Sequence, residues 1–237
     1  RGELDVAIES VDGLAVLAHE LGGADAFAQV YASSARVSML GELGRYDEIA
    51  DAVTGLVDRA PALATTYQTS ACLALAELGR LDEARMRFAS LRTDRFAGLR
   101  FMALHEFNLA QAAVTAGLLG EPTAAEELHH QLLPFAGRMI WTLTHVHGPV
   151  DLALGRASVA AGDLERAIRE LDVAEASCER SGMPGFLARA RLHRAEAHEA
   201  LGAHREAETD AGAALAAAEA IGHAAVADRS RSLLDRL

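Results

Sequence analysis

A short glycine-containing phrase recurs along the chain, and its regular spacing is the feature that most restricts the possible folds. Residues 43–53 read LGRYDEIADAV, residues 78–88 LGRLDEARMRF, residues 161–171 AGDLERAIREL and residues 201–211 LGAHREAETDA. Five aligned glycines follow one another about every 40 residues, a period typical of helical-repeat proteins: Gly44, Gly79, Gly120, Gly162 and Gly202. The spacing predicts a row of similar units that stack on their neighbours.

A small residue stands at a fixed distance after most of these glycines. Alanine lies five places further on in four repeats, at Ala84, Ala125, Ala167 and Ala207, and isoleucine takes this place in one, at Ile49. Mostly apolar residues follow at steps of four and three, so all these side chains share one face of a helix. Glycine suits the end of the preceding helix, and a small side chain lets two helices approach closely beside a tight turn.

Apolar residues with helical spacing also precede each glycine, which predicts that every repeat is an antiparallel helix pair. We therefore expect an all-α fold, an α-solenoid of about five to six helix pairs without strands. The predicted units are a half repeat at 1–22, repeats at 23–60, 61–95, 96–136, 137–181 and 182–222, and a capping helix at 223–237.

Two of these units follow a known repeat pattern. Gly44, Tyr46, Val53 and Pro61 resemble the tetratricopeptide motif, in which Ile49 replaces the usual alanine. The motif is matched again by Leu154, Gly155, Gly162, Leu164, Ala167, Leu171 and Ala174. The resemblance implies a right-handed solenoid whose first helices line a concave binding surface.

A narrower resemblance covers residues 128–197. The segments LLP-A-R at 132–138, GPV at 148–150, G-L--A at 162–167 and GMP--LARA at 182–190 are similar to the C-terminal helical region of large bacterial ATP-binding regulators. These regulators include LuxR-type signal-transduction ATPases and relatives fused to nucleotide cyclases. The resemblance implies a cytoplasmic sensing module, with either transcription or cyclic-nucleotide synthesis as the output. Because the chain begins at Arg1, halfway through a repeat, we expect it to be part of a longer protein.

Charge and composition exclude several classes of function. The formal net charge is −12, and all 22 basic residues are arginine, so a broad nucleic-acid surface is not expected. No apolar run approaches the roughly 18 residues that a membrane helix needs. Cys72 and Cys178 share no motif and are expected to be buried, reduced thiols.

The chain shows no motif of an enzyme or a cofactor site. Paired carboxylates such as Asp47 and Glu48 lie at predicted helix starts, where they complement the helix dipole. Nucleophile motifs and phosphate-binding glycine loops are missing from the sequence. Neither the pair His145 and His147 nor the adjacent His129 and His130 supplies the ligand set of a zinc site. We expect a non-enzymatic protein without cofactor or metal.

The segment 134–149, PFAGRMIWTLTHVHGP, interrupts the repeat and contains the only tryptophan. One interpretation is a distorted helix whose Met139, Ile140 and Trp141 fill the core. The other is a contact site for a partner or ligand, since tryptophan and arginine are frequent in binding hot spots. Its candidate residues are Arg138, Trp141, His145 and His147.

Three functions remain open. The first is a protein-interaction and sensing module that binds a protein, a peptide or other domains of its parent chain. The second is a receptor for a small molecule or peptide near residues 138–147, which predicts a closed, partly apolar pocket where a docking scaffold predicts an open groove. The third is self-association through the first half repeat. None of the three involves nucleic acid or a membrane.

Overall fold

The computed structural model describes residues 4–20, 26–54, 64–99, 104–142 and 145–237, and 84% of these are helical. The all-α prediction is therefore confirmed in its main feature. The described part holds twelve α-helices: α1 (Leu4–Glu20), α2 (Ala26–Leu43), α3 (Tyr46–Thr54), α4 (Ala64–Glu77), α5 (Leu81–Leu91), α6 (His105–Leu119), α7 (Pro122–Leu132), α8 (Val150–Ala161), α9 (Leu164–Ser181), α10 (Pro184–Ala200), α11 (His204–Ile221) and α12 (Ala224–Leu234). Short 3-10 helices cover Thr93–Leu99 and Leu133–Phe135.

The helices pack in sequence order as pairs. Each segment predicted as a full repeat holds two helices, from α2 and α3 to α10 and α11, and α12 follows the last pair. The half repeat holds α1, which packs on α2. The boundaries predicted at 22/23 and 60/61 lie outside the described residues, as does Pro61.

Glycine turns and buried alanines occupy the positions given by the repeat. The five aligned glycines have φ between 68° and 86°, the left-handed region that glycine enters without steric cost. Gly120 shows the geometry: its N–H bonds the carbonyl oxygens of Ala116 and Gly117, which ends α6. Four alanines at the predicted close approach are 0% exposed: Ala84, Ala125, Ala167 and Ala207.

The segment between α7 and α8 differs from the prediction. It contains two short strands, β1 (Met139–Trp141) and β2 (Val146–Pro149), which pair antiparallel. We call this unit the hairpin; its residues 143–144 lie outside the described part of the chain. The interpretation as a distorted helix that buries Trp141 is wrong, because Trp141 is 67% exposed and only Ile140 enters the core. Strands of only three and four residues are too short to give a recognisable alternating pattern in the sequence.

The C-terminal helices return to contact the N-terminal ones. The guanidinium of Arg189 in α10 donates to the carbonyl oxygen of Gly41 in α2. Arg229 in α12 pairs with Glu77 in α4 at 3.6 Å. The first helices of the five pairs (α2, α4, α6, α8 and α10) therefore surround a common centre and line a partly open pocket there, which lies between the closed pocket expected of a receptor and the open groove expected of a docking scaffold.

None of the described helices combines the length and the apolar character needed to cross a membrane.

Candidate functional site

The first helices of all five pairs meet at a central pocket of about 120 Å³. Helix α3 and the hairpin complete its wall, and most of the lining is apolar: Val37, Ile49, Leu73, Ala74, Phe107, Ala110, Val114, Ile140, Pro149, Leu152, Ala153 and Phe186. An engineered apolar cavity of about 150 Å³ takes up benzene, so this pocket suits a ligand of similar size.

One of the two hairpin histidines, His147, lines the pocket, and the other, His145, contacts the pocket residue Glu42. His145 Nε2 is 2.6 Å from Glu42 Oε1, which fastens the hairpin to α2. His147 Nε2 is 3.1 Å from Thr142 Oγ1, and its ring contacts the ring of Phe107 at 4.2 Å between centroids. Burial first, then the charges of His145 and Arg189, lower the pKa of His147 to about 3, so this ring is neutral at pH 7. The two histidines bond different partners and do not form a metal site together.

Close packing holds the hairpin against α10. A side chain at Gly148, where φ is 81°, would place its Cβ 2.6 Å from Phe186 Cδ1. Only glycine fits here, because other residues rarely adopt this positive φ and because Phe186 leaves no space for a Cβ atom. Glycine at this position therefore lets the hairpin form one wall of the pocket.

Two polar residues complete the pocket wall. Tyr46, at the start of α3, is buried, and desolvation raises the pKa of its hydroxyl to about 12. Its hydroxyl has no hydrogen-bond partner among the described residues. Arg189 extends from α10, bonds the Gly41 carbonyl and contacts Nε2 of His223 at 3.2 Å. The pocket thus combines an apolar body with a few polar groups, as ligand sites do.

The other two candidates of the hairpin face away from the pocket. Arg138 is exposed, pairs with Glu106 at 2.8 Å and lies 5.6 Å from the ring centroid of Phe135. Trp141 is exposed and is not among the residues that line the pocket. Of the four predicted residues, the structure therefore places only His147 in the pocket wall; His145 is bonded to the pocket residue Glu42, and Arg138 and Trp141 are exposed.

One cluster in the described part of the chain has the spacing of a metal site. Glu126, His129 and His130 place ligand atoms within 4.8 Å of one another on α7. However, Arg166 already bonds Glu126 at 2.7 Å, and this hydrogen bond, together with the charge of Arg166, lowers the pKa of that carboxyl. The Glu126 carboxylate that a metal ion would need as a ligand is thus already paired with Arg166, and this ion pair joins α7 to α9.

The buried charged groups are paired in ways that join helices. Glu196 in α10 accepts from Arg156 at 2.9 Å and Arg229 at 2.6 Å and lies 3.1 Å from His193. Despite its burial, these partners together hold the pKa of Glu196 well below its usual range. The network connects α8, α10 and α12, and it presents no free acid or base to a substrate.

The two cysteines are poor nucleophiles. Cys72 and Cys178 are free and fully buried, and burial raises the pKa of each thiol to about 12. A thiol with this pKa stays protonated and unreactive at neutral pH.

Sequence reasoning missed most of the pocket wall, including Glu42, Tyr46, Gln111 and Arg189. One signal was present for Arg189: it lies at helical spacing between Phe186 and His193, on the face of α10 that is otherwise buried. A charged residue on such a face indicates a pocket or an ion pair.

No family model matches the chain, and no curated protein matches it either.

Proposed function

We propose that this chain is a non-enzymatic sensing module that binds a small, largely apolar molecule in its central pocket. The observation that carries the proposal is the pocket itself, where five first helices and the hairpin converge. Apolar walls with a few polar groups are typical of small-molecule sites. The proposal selects the receptor function over the open docking scaffold.

We propose further that the helix pairs form a right-handed, tetratricopeptide-like solenoid from a bacterial ATP-dependent regulator. The left-handed glycine turns and the fully buried alanines that follow them support the repeat type. The similarity of residues 128–197 to sensor regions of such regulators supports the parent. Its output would be transcription or cyclic-nucleotide synthesis.

The signal would be relayed through closure of the helical array. The pocket wall includes Gly41 and Glu42 of α2 and also Phe186 and Arg189 of α10, which are far apart in sequence. A ligand that touches both groups favours the closed arrangement over a more open one, because it binds the two states with different affinity. The exposed Trp141 offers an anchor through which other domains of the parent, or a partner protein, would detect the change.

The test is binding of small apolar probes, such as benzene, toluene and cyclohexanol, followed by nuclear magnetic resonance of the pocket methyl groups. Ala110→Leu fills part of the pocket and should abolish binding, whereas the exposed control Ala200→Leu should bind as the native chain does. Trp141→Ala should leave probe binding unchanged. If no probe binds, or if Ala110→Leu binds equally well, the pocket is not a receptor site.

A further inference from the structure

Arg189 is a cation without a counterion at the wall of an apolar pocket. It is half-buried, and no carboxylate of the described residues lies within 4.0 Å of its guanidinium. Other arginines of the inner helices are paired: Arg156 with Glu196 at 2.9 Å, and Arg194 with Asp210 at 2.6 Å. Carboxylates therefore compensate the charges of these two arginines, whereas the charge of Arg189 has no carboxylate beside it among the described residues.

The partners that Arg189 does have are neutral. They are the carbonyl oxygen of Gly41, the ring of His223 and the ring of Phe186, whose centroid lies 5.4 Å from the guanidinium carbon. Burial first, and then the charge of Arg189, lower the pKa of His223 to about 3, so the ring is uncharged at pH 7. A neutral imidazole accepts a hydrogen bond through one nitrogen only, so His223 accepts from either Arg189 or the N–H of Val226, but not from both. The Nη1 group of Arg189 makes no hydrogen bond within the described part of the chain.

The surroundings favour an anion at this point. Tyr46 and His147 line the same pocket as Arg189, both are neutral at pH 7, and the charge of Arg189 acts on the pKa of both. Tyr46 also has an unused hydroxyl donor. Glu42 is the only carboxylate that lines the pocket among the described residues, and it is bonded to His145. An unpaired charge against apolar walls is unfavourable until an anion compensates it.

We infer that the ligand is a small monocarboxylic acid with an apolar body, whose carboxylate pairs with Arg189 while its hydrocarbon part fills the cavity. This inference rests on the proposed receptor function and names its ligand class. A guanidinium binds a carboxylate through two parallel hydrogen bonds, which fixes the orientation of the ligand. A cavity of about 120 Å³ admits a body the size of a benzene ring or a chain of about six carbon atoms.

A carboxylate fits better than a phosphate. A phosphate group carries close to two negative charges and three strong acceptor oxygens. The pocket offers one unpaired cation, and its only neutral donors without a partner among the described residues are the Tyr46 hydroxyl and the side-chain amide of Gln111. The observed donors match the single charge of a carboxylate.

The experiment compares benzoate, hexanoate, benzyl alcohol and phenyl phosphate by isothermal titration calorimetry on the native chain. Benzoate and hexanoate should bind at least about 10-fold more tightly than benzyl alcohol, since charge-assisted hydrogen bonds contribute this much. Equal binding of benzoate and benzyl alcohol would overturn the inference and leave the receptor function standing. Tighter binding of phenyl phosphate than of benzoate would also overturn it. If none of the four compounds binds, both the inference and the receptor function fail.

A pair of variants assigns the effect to Arg189. Arg189→Gln should weaken benzoate about 10-fold or more and leave benzyl alcohol unchanged, while the exposed control Arg169→Gln should alter neither. A variant that binds benzoate like the native chain would contradict the role of Arg189. The comparison of benzoate with benzyl alcohol needs no variant, so it decides the question even where Arg189→Gln fails to fold.

Discussion

Three buried histidines show how single residues couple the stability of this fold to pH. His147, His193 and His223 each have a pKa lowered to about 3, and desolvation is the largest cause in every case. Their rings lie at the pocket, in the Glu196 network and at the start of α12. Protonation of any of them places a charge in a site built for a neutral ring.

The sign of the pH effect follows from these values. In the unfolded chain a histidine has a pKa near 6.5, so between pH 6.5 and 3 the unfolded state binds more protons than the folded state. The free energy of unfolding should therefore fall as the pH is lowered from 7 to 5. His223→Asn, which keeps an acceptor for the N–H of Val226, should make this slope shallower by an amount that rises to about 1.4 kcal/mol per pH unit near pH 5. Urea unfolding at several pH values measures the slope.

The matched control for this prediction is His204→Gln. His204 is exposed at the start of α11, so its replacement should leave the pH dependence of stability unchanged. A slope that is the same in the native chain and in His223→Asn would show that His223 titrates normally in the folded protein.

At the scale of elements, the helix pairs could be predicted because their signals are local. Gly162 and Ala167 are five residues apart, and together they specify the turn and the close packing of α8 on α9. The hairpin could not be predicted in this way. Its strands span three and four residues, and its position depends on contacts with distant groups, such as Gly148 with Phe186 and His145 with Glu42.

The close packing of α8 on α9 leads to a prediction about Ala167. This alanine is fully buried, and nearby a Cβ at Gly155 would lie 2.5 Å from Leu171 Cγ, so the two helices leave no free space between them. Ala167→Leu should lower the free energy of unfolding by about 1–3 kcal/mol through overpacking. Chemical denaturation measures this loss.

The control is Ala216→Leu, on the exposed face of α11. It makes the same chemical change without a packing partner, so its effect should stay within about 0.5 kcal/mol. Equal effects at the two positions would contradict the close approach of α8 and α9.

For the molecule as a whole, the closure that creates the pocket depends on contacts far apart in sequence. Gly41 and Arg189 are 148 residues apart, and Glu77 meets Arg229 from the other end of the chain. Repeat spacing describes each unit and its neighbour, but it carries no information on where the first and last units meet. Therefore the sequence predicted a concave surface lined by first helices, but neither its closure nor Tyr46 and Arg189 as parts of the pocket wall.

A comparison of two glycines isolates the contribution of this closure. Gly44 and Gly79 have nearly the same φ, 72° and 73°, so alanine costs each turn a similar backbone strain of about 1–2 kcal/mol. Only at Gly44 would the new Cβ meet a distant residue, since His223 Cε1 lies 2.6 Å away while Gly79 has nothing within 4 Å. A hydrogen bond from either Arg189 or the Val226 N–H holds that imidazole in place, so it cannot move aside without loss of a contact.

Gly44→Ala should therefore destabilise the chain by about 1–3 kcal/mol more than Gly79→Ala. It should also weaken the contact between the two ends, which small-angle X-ray scattering would detect as a larger radius of gyration for Gly44→Ala than for Gly79→Ala. If the ends separate, the pocket loses the wall that α10 contributes, so Gly44→Ala should bind the carboxylate probes less tightly although Gly44 does not line the pocket. Two variants with equal stability and equal radius of gyration would show that the contact at Gly44 contributes nothing to the closed arrangement.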